Sequence, residues 1–405
     1  MKFNISSKTL LSHLNATFKV VNAKNLLSIL ENFLFILKGN ILTVKGSDQE
    51  NNMQATFEVT DSEGEGMVAV PAKRLIDILK EMPDQGLCID INDETLNINV
   101  TFSQGQFDFM GLPGSEYPEP KARTEDAVKF VMPAQVMYAG LMSSTYAAST
   151  ESIRPIMTGV CVDFKNESLV LVASDTHKLV KYENSAIKPG FERRFVLPPK
   201  AAQLLRSLLE KEEGDLEIEM DERGATFRWN VYELSCVFVT GNYPPYDRVI
   251  PRENPFTLEV DRGDFLAASR RMLLMANTGS KLVRLKINAD ELEMSSRDVD
   301  YARSGFEKMN CNYQGNPMTI GFNGEYLVDV VSNMPGDSLF VQLSDPSRPA
   351  LFVPAEQKEE IREKLPDTLI NTQVANHKEG GWCKDENGYN VPRYALLREQ
   401  FGDYK

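Results

Sequence analysis

Leu169-Val-Leu-Val-Ala-Ser-Asp175 is an apolar run closed by a serine and an aspartate. The same form, a strand followed by an acidic turn, occurs twice more, as Ile41-Leu-Thr-Val-Lys-Gly-Ser-Asp48 and Leu292-Glu-Met-Ser-Ser-Arg-Asp298. The aspartates stand 127 and 123 residues apart. A second landmark follows each of them, a strand end that runs into an amphipathic helix. It reads Val70-Pro-Ala-Lys-Arg-Leu-Ile-Asp-Ile-Leu79, then Leu197-Pro-Pro-Lys-Ala-Ala-Gln-Leu-Leu205, then Gly321-Phe-Asn-Gly-Glu-Tyr-Leu-Val-Asp-Val-Val331. A turn signal closes the first two copies, Gly114-Ser-Glu-Tyr-Pro118 and Gly241-Asn-Tyr-Pro244. Three landmarks in one order at one period describe a triplicated domain, and a period this long is a whole domain rather than a solenoid turn. The repeats span 1–125, 126–252 and 253–357, and residues 358–405 form an atypical C-terminal extension.

Within a repeat the pattern predicts two helices and about eight strands. Lys2 to Ile5 alternates as a short strand, and Ser6 and Ser7 are placed to cap a helix over Lys8 to Val21. Leu87–Ile91, Leu96–Phe102, Leu216–Met220 and Ala225–Trp229 alternate with period two, as half-buried antiparallel strands do. The fold class is α+β, two helices per repeat packed on one face of antiparallel sheets.

The chain has 405 residues, of which 42% are hydrophobic and 25% charged, enough to bury a core. No apolar run reaches the ~18–20 residues of a membrane span, and the polar N-terminus predicts no signal peptide. The five cysteines are scattered and odd in number, which fits reduced thiols in the cytoplasm. Three histidines argue against a His-rich metal site, and no cofactor motif is present. Asp48, Asp175 and Asp298 could suggest a carboxylate enzyme. Because they recur at repeat positions, they read instead as turn formers, and no nucleophile or phosphate-loop motif accompanies them. The expectation is a protein that is not an enzyme.

Net charge is −14, which taken alone argues against nucleic acid. Its distribution differs from its sum. The six helical stretches carry +5 and the remainder −19. Either the basic residues are scattered on solvated faces, or they form a segregated surface for phosphates.

The triplicated unit, the Val70-Pro-Ala-Lys73 helix start, the segment Ser174-Asp-Thr-His-Lys-Leu-Val180 and the closure Gly-Asn-Tyr-Pro-Pro-Tyr-Asp-Arg-Val-Ile-Pro over 241–251 together resemble one family, the bacterial sliding clamp, or beta subunit of DNA polymerase III. The resemblance covers residues 1 to about 357. It implies three clamp domains, a head-to-tail homodimeric ring around double-stranded DNA, helices lining the bore, and an ATP-driven clamp-loader complex as a partner. It implies DNA contacts from Lys24, Lys73, Arg154 and Lys200, and a subunit interface using Phe107, Phe109, Leu273 and Leu274. It also implies a cleft between the second and third repeats for the DNA polymerase III alpha subunit and other clients carrying Q-L-x-L-F-type peptides. The matching cleft residues are Met157, Ser174, Thr176, His177, Lys178, Leu179, Pro244, Arg248 and Val249, an apolar slot with a few orienting polar groups. The family often has another residue where Thr176 stands.

The family's chains end on a strand with a Met-Pro-Met-like close that lines this cleft, soon after the strand matching Ala350–Pro354. No such segment is visible here, which predicts a missing cleft wall. The extension is either of no defined role, or a tail that replaces the wall or occupies the groove. A clamp-like peptide-binding scaffold without a functional ring is the alternative reading.

Overall fold

The computed structural model describes residues 1–21, 27–120, 122–251, 253–354, 369–374, 382–384 and 390–392. The first repeat runs β1 (Lys2–Ser6), α1 (Ser7–Phe18), β2 (Asn32–Lys38), β3 (Ile41–Ser47), β4 (Asn51–Glu58), β5 (Thr60–Glu63), β6 (Gly66–Pro71), α2 (Ala72–Lys80), β7 (Gly86–Ile91), β8 (Asn97–Phe102), β9 (Gly105–Met110) and β10 (Leu112–Pro113). The second runs β11 (Val128–Pro133), α3 (Ala134–Ser144), β12 (Val160–Lys165), β13 (Ser168–Ser174), β14 (Lys178–Asn184), β15 (Arg193–Leu197), α4 (Pro199–Leu208), β16 (Asp215–Met220), β17 (Gly224–Trp229) and β18 (Tyr232–Val237). The third runs β19 (Phe256–Asp261), α5 (Arg262–Met275), β20 (Leu282–Ile287), β21 (Glu291–Asp298), β22 (Arg303–Asn310), β23 (Asn312–Gln314), β24 (Met318–Asn323), α6 (Gly324–Ser332), β25 (Ser338–Leu343), β26 (Ala350–Pro354) and β27 (Leu369–Val374). A hairpin of β28 (Trp382–Lys384) and β29 (Asn390–Pro392) follows.

The helices form because their apolar residues fall at i, i+3, i+4 and i+7. Helix α2 buries Ala72, Leu75, Ile76 and Leu79, and α5 buries Phe265, Ala268, Ser269 and Met272. Side chains close the first turns of α5 and α6: Asp261 accepts from the Asp264 amide at 2.7 Å, and Asn323 from the Glu325 amide at 2.9 Å. The expected Ser6 cap is present, accepting from the Thr9 amide at 3.4 Å.

Every ladder among the described residues is antiparallel. The sheet orders are β5-β1-β7-β8-β9, β10-β6-β2-β3-β4-β18-β17-β16-β11, β15-β12-β13-β14-β27-β26-β25-β19-β23 and β22-β21-β20-β24. One meander therefore occurs three times, as β1-β7-β8-β9, β11-β16-β17-β18 and β19-β25-β26-β27. In the second repeat its last strand pairs with β4 of the first, Tyr232 opposite Ala55 through Cys236 opposite Asn51. In the third its last strand pairs with β14 of the second, Lys178 opposite Val374 through Glu183 opposite Leu369.

That second pairing corrects the expectation that the closing strand is missing. It is present as β27, beyond residues 355–368, between β14 and β26. Its sequence, Leu-Ile-Asn-Thr-Gln-Val, has no Met-Pro-Met signature and lies past the charged run Lys358–Lys364. What identifies it is the pair of strand edges it satisfies.

The chain gathers into two compact units, Met1–Tyr138 with Gln203–Phe238, and Ala139–Ala202 with Val239–Lys405. They cross the repeat borders because the β4–β18 ladder holds the second repeat's meander in the first unit. The first unit's core includes Phe3, Leu10, Leu14, Phe33, Leu75 and Val100. The second has one cluster around Phe265, Leu285, Phe322 and Phe352, and a smaller one around Met157, Val172, Leu179 and Tyr246.

His13 on α1 stacks on Phe57 with ring centroids 4.2 Å apart, and its Nδ1 lies 3.0 Å from the Tyr232 hydroxyl. Burial holds its pKa below the ordinary 6.5. Between the lowered folded value and 6.5 the unfolded chain binds the proton and the folded chain does not. His13 thus contributes stability that is fully present above pH 6.5 and is lost as pH falls through the folded pKa. In urea unfolding at pH 7.5 and 5.5, His13→Gln is expected to show a smaller loss of midpoint on acidification than the parent.

Candidate functional site

The turn between β13 and β14 is built by its own side chains. Asp175 accepts from the amides of His177 and Lys178 at 2.9 and 2.8 Å. Ser174 donates to the Lys178 carbonyl at 2.8 Å and accepts from the Thr176 amide at 3.2 Å. Asp48 and Asp298 do the same work in their repeats, Asp48 accepting from the amides of Glu50 and Asn51 and Asp298 from that of Asp300. Thr176 sits at φ +77°, a left-handed conformation that costs a β-branched residue on the order of 1–3 kcal/mol.

The turn delivers Leu179 into an apolar cluster with Met157, Val172, Tyr243 and Tyr246, all buried. Ile156, Val239, Val249 and Ile250 pack on it while keeping part of their surface in solvent. Pro244 is half-buried and Arg248 exposed at the same segment. Gly241 turns the chain into this segment at φ +126°, a conformation open in practice to glycine alone. The nine expected cleft residues thus all lie in the second compact unit.

Two sets of groups fix this cluster, and the sequence reading named neither. Tyr326 and Asp329 lie three apart on α6, hence on one face. Tyr326 stacks on His177 at 5.5 Å, and its ring lies 5.0 Å from Lys178 Nζ. Burial, then the nearby Asp175, push the Tyr326 hydroxyl up to about 12. The nearly buried Lys178 ammonium lies 2.8 Å from Asp175 and 3.3 Å from Asp329. On the other side Asp163, 5% exposed in β12, accepts from the Tyr246 hydroxyl at 2.6 Å and from Arg194 at 2.5 Å. Burial, then Asp163, push the Tyr246 hydroxyl far up, so it stays a donor. The signal for this pair was present: Asp163 is the one charge inside Val160-Cys-Val-Asp-Phe164.

The other expected residues are more dispersed. Lys73 is exposed on α2, Arg154 is half-exposed where its carbonyl accepts from the Met157 amide, and Lys200 is half-exposed on α4. Lys24 lies outside the described residues. Phe107 is 39% exposed on β9 and stacks on Phe102 at 5.3 Å, whereas Phe109 is 6% exposed and belongs to the core. On α5 Leu274 is 71% exposed and Leu273 half-buried. Among the described residues β9 and β22 end their sheets without a neighbour, and Phe306 on β22 is 67% exposed. Beside β9, a groove of about 1320 Å³ is lined by Lys73, Ile78, Met82, Phe102 and Phe107. No group of three metal-ligating side chains and no helix long and apolar enough to cross a membrane occurs among the described residues.

Removing the Asp163 charge leaves the buried Tyr246 hydroxyl and the exposed Arg194 guanidinium to share a neutral amide oxygen in place of a carboxylate. Asp163→Asn is expected to lower stability by about 1–3 kcal/mol in urea unfolding. Tyr246→Phe is expected to cost less, and the double variant less than the sum, since both break one contact.

Comparisons with known proteins agree along nearly the whole chain. The N-terminal, central and C-terminal domains of the DNA polymerase III beta subunit match residues 1–121, 132–245 and 247–366. The beta sliding clamp of Staphylococcus epidermidis is 24% identical over 376 residues, covering 90% of this chain and 99% of that protein. That of Staphylococcus aureus is 23% identical over 363 residues, covering 87% and 96%. Among solved structures, the sliding clamp of Pseudomonas aeruginosa bound to griselimycin superposes with a TM-score of 0.87 at 23% identity, over 94% of this chain and 100% of that one. The beta subunit of Thermotoga maritima gives 0.83 at 21%, over 93% and 99%. With three consecutive domain matches in order and the thrice-used meander beneath them, the chain belongs to the DNA polymerase III beta subunit family.

Proposed function

We propose that this protein is a sliding clamp, a ring-shaped processivity factor that encloses duplex DNA and tethers a polymerase to it. The observation that carries this reading is that two of the end strands, β9 and β22, are the counterparts of the strands that pair at the repeat borders, β18 with β4 and β27 with β14. Within the chain, the last strand of one repeat's meander pairs with the β2-β3-β4 type sheet of the repeat before it, and each such junction completes a nine-stranded sheet. The five-stranded sheet ending at β9 and the four-stranded sheet ending at β22 lack only that step. In a head-to-tail pair β9 of one copy meets β22 of the other, a third nine-stranded sheet forms, and the open edges and the exposed Phe107, Leu274 and Phe306 are covered.

A closed ring holds DNA by enclosure, so it needs only a weakly basic bore. Lys73, Arg154 and Lys200, with Lys24, are our candidates for it, and the acidic remainder discourages other contacts with DNA. The apolar cluster around Leu179 and Val249 is our candidate for client peptides of the Q-L-x-L-F type, and the clamp loader is expected to use the same cleft. We place repeat borders near residues 125, 252 and 357. A cytoplasmic location fits the free thiols Cys88, Cys161, Cys236 and Cys311.

Light scattering is expected to give twice the 45.6 kDa chain mass. Leu274→Asp or Phe107→Asp, both at exposed positions, is expected to yield a folded monomer at micromolar concentration. A parent protein that is itself monomeric refutes the ring and leaves a peptide-binding scaffold. Once loaded, the ring is expected to stay on circular DNA and run off linear DNA. Val249→Asp is expected to weaken binding of a labelled Q-L-x-L-F peptide at least tenfold, measured by fluorescence anisotropy, while leaving the dimer intact.

A further inference from the structure

The two completed junctions share one register, and the ladders give it residue by residue. In the first repeat the row Lys2, Asp90, Asn99, Asp108 runs straight across β1-β7-β8-β9. In the second the row Lys129, Glu219, Thr226, Ser235 crosses β11-β16-β17-β18. In the third the row Thr257, Gln342, Leu351, Gln373 crosses β19-β25-β26-β27. Each row starts five residues before its repeat's first helix, at Ser7, Ala134 and Arg262, so Asp108, Ser235 and Gln373 are equivalent.

The equivalence continues across the junction. Ser235 faces Asn52, which faces Ser47 on β3. Gln373 faces Leu179, which faces Ser174 on β13. Ser47 and Ser174 are the residues just before the turn aspartates Asp48 and Asp175. In the third repeat the residue before Asp298 is Arg297, and it faces Ser304 on β22.

We propose that two copies of the chain close on this same register, Asp108 of one copy opposite Ser304 of the other and Phe107 opposite Gly305. This rests on the head-to-tail pairing of β9 with β22 and specifies it. The side chains brought together are complementary. Phe107 takes the place of Leu234, and Gly305 that of Met53, a fully buried pair at the first junction. A larger residue on one edge thus meets the smallest on the other. The Gly305 backbone is that of an ordinary strand residue, so its conformation does not ask for glycine. A Cβ there would lie 3.2 Å from Met275 Cγ and 3.6 Å from Met272 Cε on α5. Gly305 is therefore a notch bordered by two methionines, whose sulfurs favour an aromatic neighbour. Phe107, 39% exposed in the single chain, fills it.

The next row adds charge. Asp108 is the one charged residue of β9, and it accepts from Asn99 at 2.8 Å and Gln106 at 3.2 Å. Arg297 is exposed two strand spacings away in the closed pair, about 10 Å. An arginine side chain spans that distance over a serine. Glu307 and Lys308 on β22 are already paired with Arg271 and Glu291, so they do not compete. A slip of one residue turns Phe107 to the other face of the sheet, and a slip of two sets it against Arg303 or Glu307 instead of the notch. The notch thereby selects a second copy of this chain over a related chain with a side chain at that position.

The test is disulfide trapping in the full chain, with light scattering alongside. Asp108→Cys with Ser304→Cys, and Gln106→Cys with Phe306→Cys, place thiols directly opposite in the proposed register. Asp108→Cys with Phe306→Cys, and Gln106→Cys with Ser304→Cys, place them two residues out of step. Under mild oxidation the first two are expected to form the doubled chain on non-reducing gels at least about fivefold faster than the last two, because a disulfide needs the short Cβ separation of directly opposed residues. Gly305→Met is expected to weaken the dimer at least about tenfold, and adding Phe107→Leu, which restores the Leu–Met pair of the first junction, to recover most of that loss. Asp108→Asn is expected to weaken it about two- to fivefold at low salt and less at high salt. Faster trapping of the out-of-step pairs in a dimeric protein overturns the register and leaves the ring standing. A dimer that none of the four pairs traps does the same. A dimer that Gly305→Met leaves unchanged overturns the notch. A monomeric parent overturns the ring and the register together.

Discussion

An unpaired strand edge exposes a row of amide and carbonyl groups that must find partners, and this protein solves that requirement the same way at each repeat border. The meander β11-β16-β17-β18 ends on a strand that β4 completes, and β19-β25-β26-β27 ends on a strand that β14 completes. The first meander ends at β9, and β22 waits at the other end of the repeat series. The compact units, the position of the closing strand and the proposed ring all follow from which edge meets which. The cores matter for stability, but hydrophobic burial is not directional, whereas a ladder fixes both register and neighbour.

One turn device serves the fold three times and a candidate site once. Asp48, Asp175 and Asp298 each tie the amides of a hairpin turn. Around Asp175 further groups gather: Lys178 with a second carboxylate from α6, Tyr326 over His177, and an apolar cluster that takes in Leu179. The Asp163–Tyr246–Arg194 contacts hold Tyr246 in the same cluster. Rigid positioning by buried polar contacts suits the client role proposed for this cluster, because apolar anchors themselves supply little orientation.

Much of this was legible along the chain. The landmarks at Asp48, Asp175 and Asp298 gave the triplication, and helix ranges agreed to within a few residues because 3.6-residue periodicity is a local property. The cleft residues named by resemblance fall in one unit. The partners of those residues were not legible. Tyr326 and Asp329 are remote from Lys178 in sequence, and only the packing of α6 brings them to it. Phe107 and Phe109 stand two apart on one strand and so share a face, and only their places along it, Phe109 in the core cluster and Phe107 stacked on Phe102, show that one is core and the other exposed.

The sequence by itself determined the repeat count, the α+β class, the turn chemistry and the separation of basic helices from acidic strands, because each is written in residues that are neighbours or near neighbours. Only the tertiary structure decided that Leu369–Val374 closes the third meander, and which of the described strand edges are filled and which stay open. Those depend on backbone hydrogen bonds between strands far apart in the chain, and a backbone group carries no side-chain signature to read.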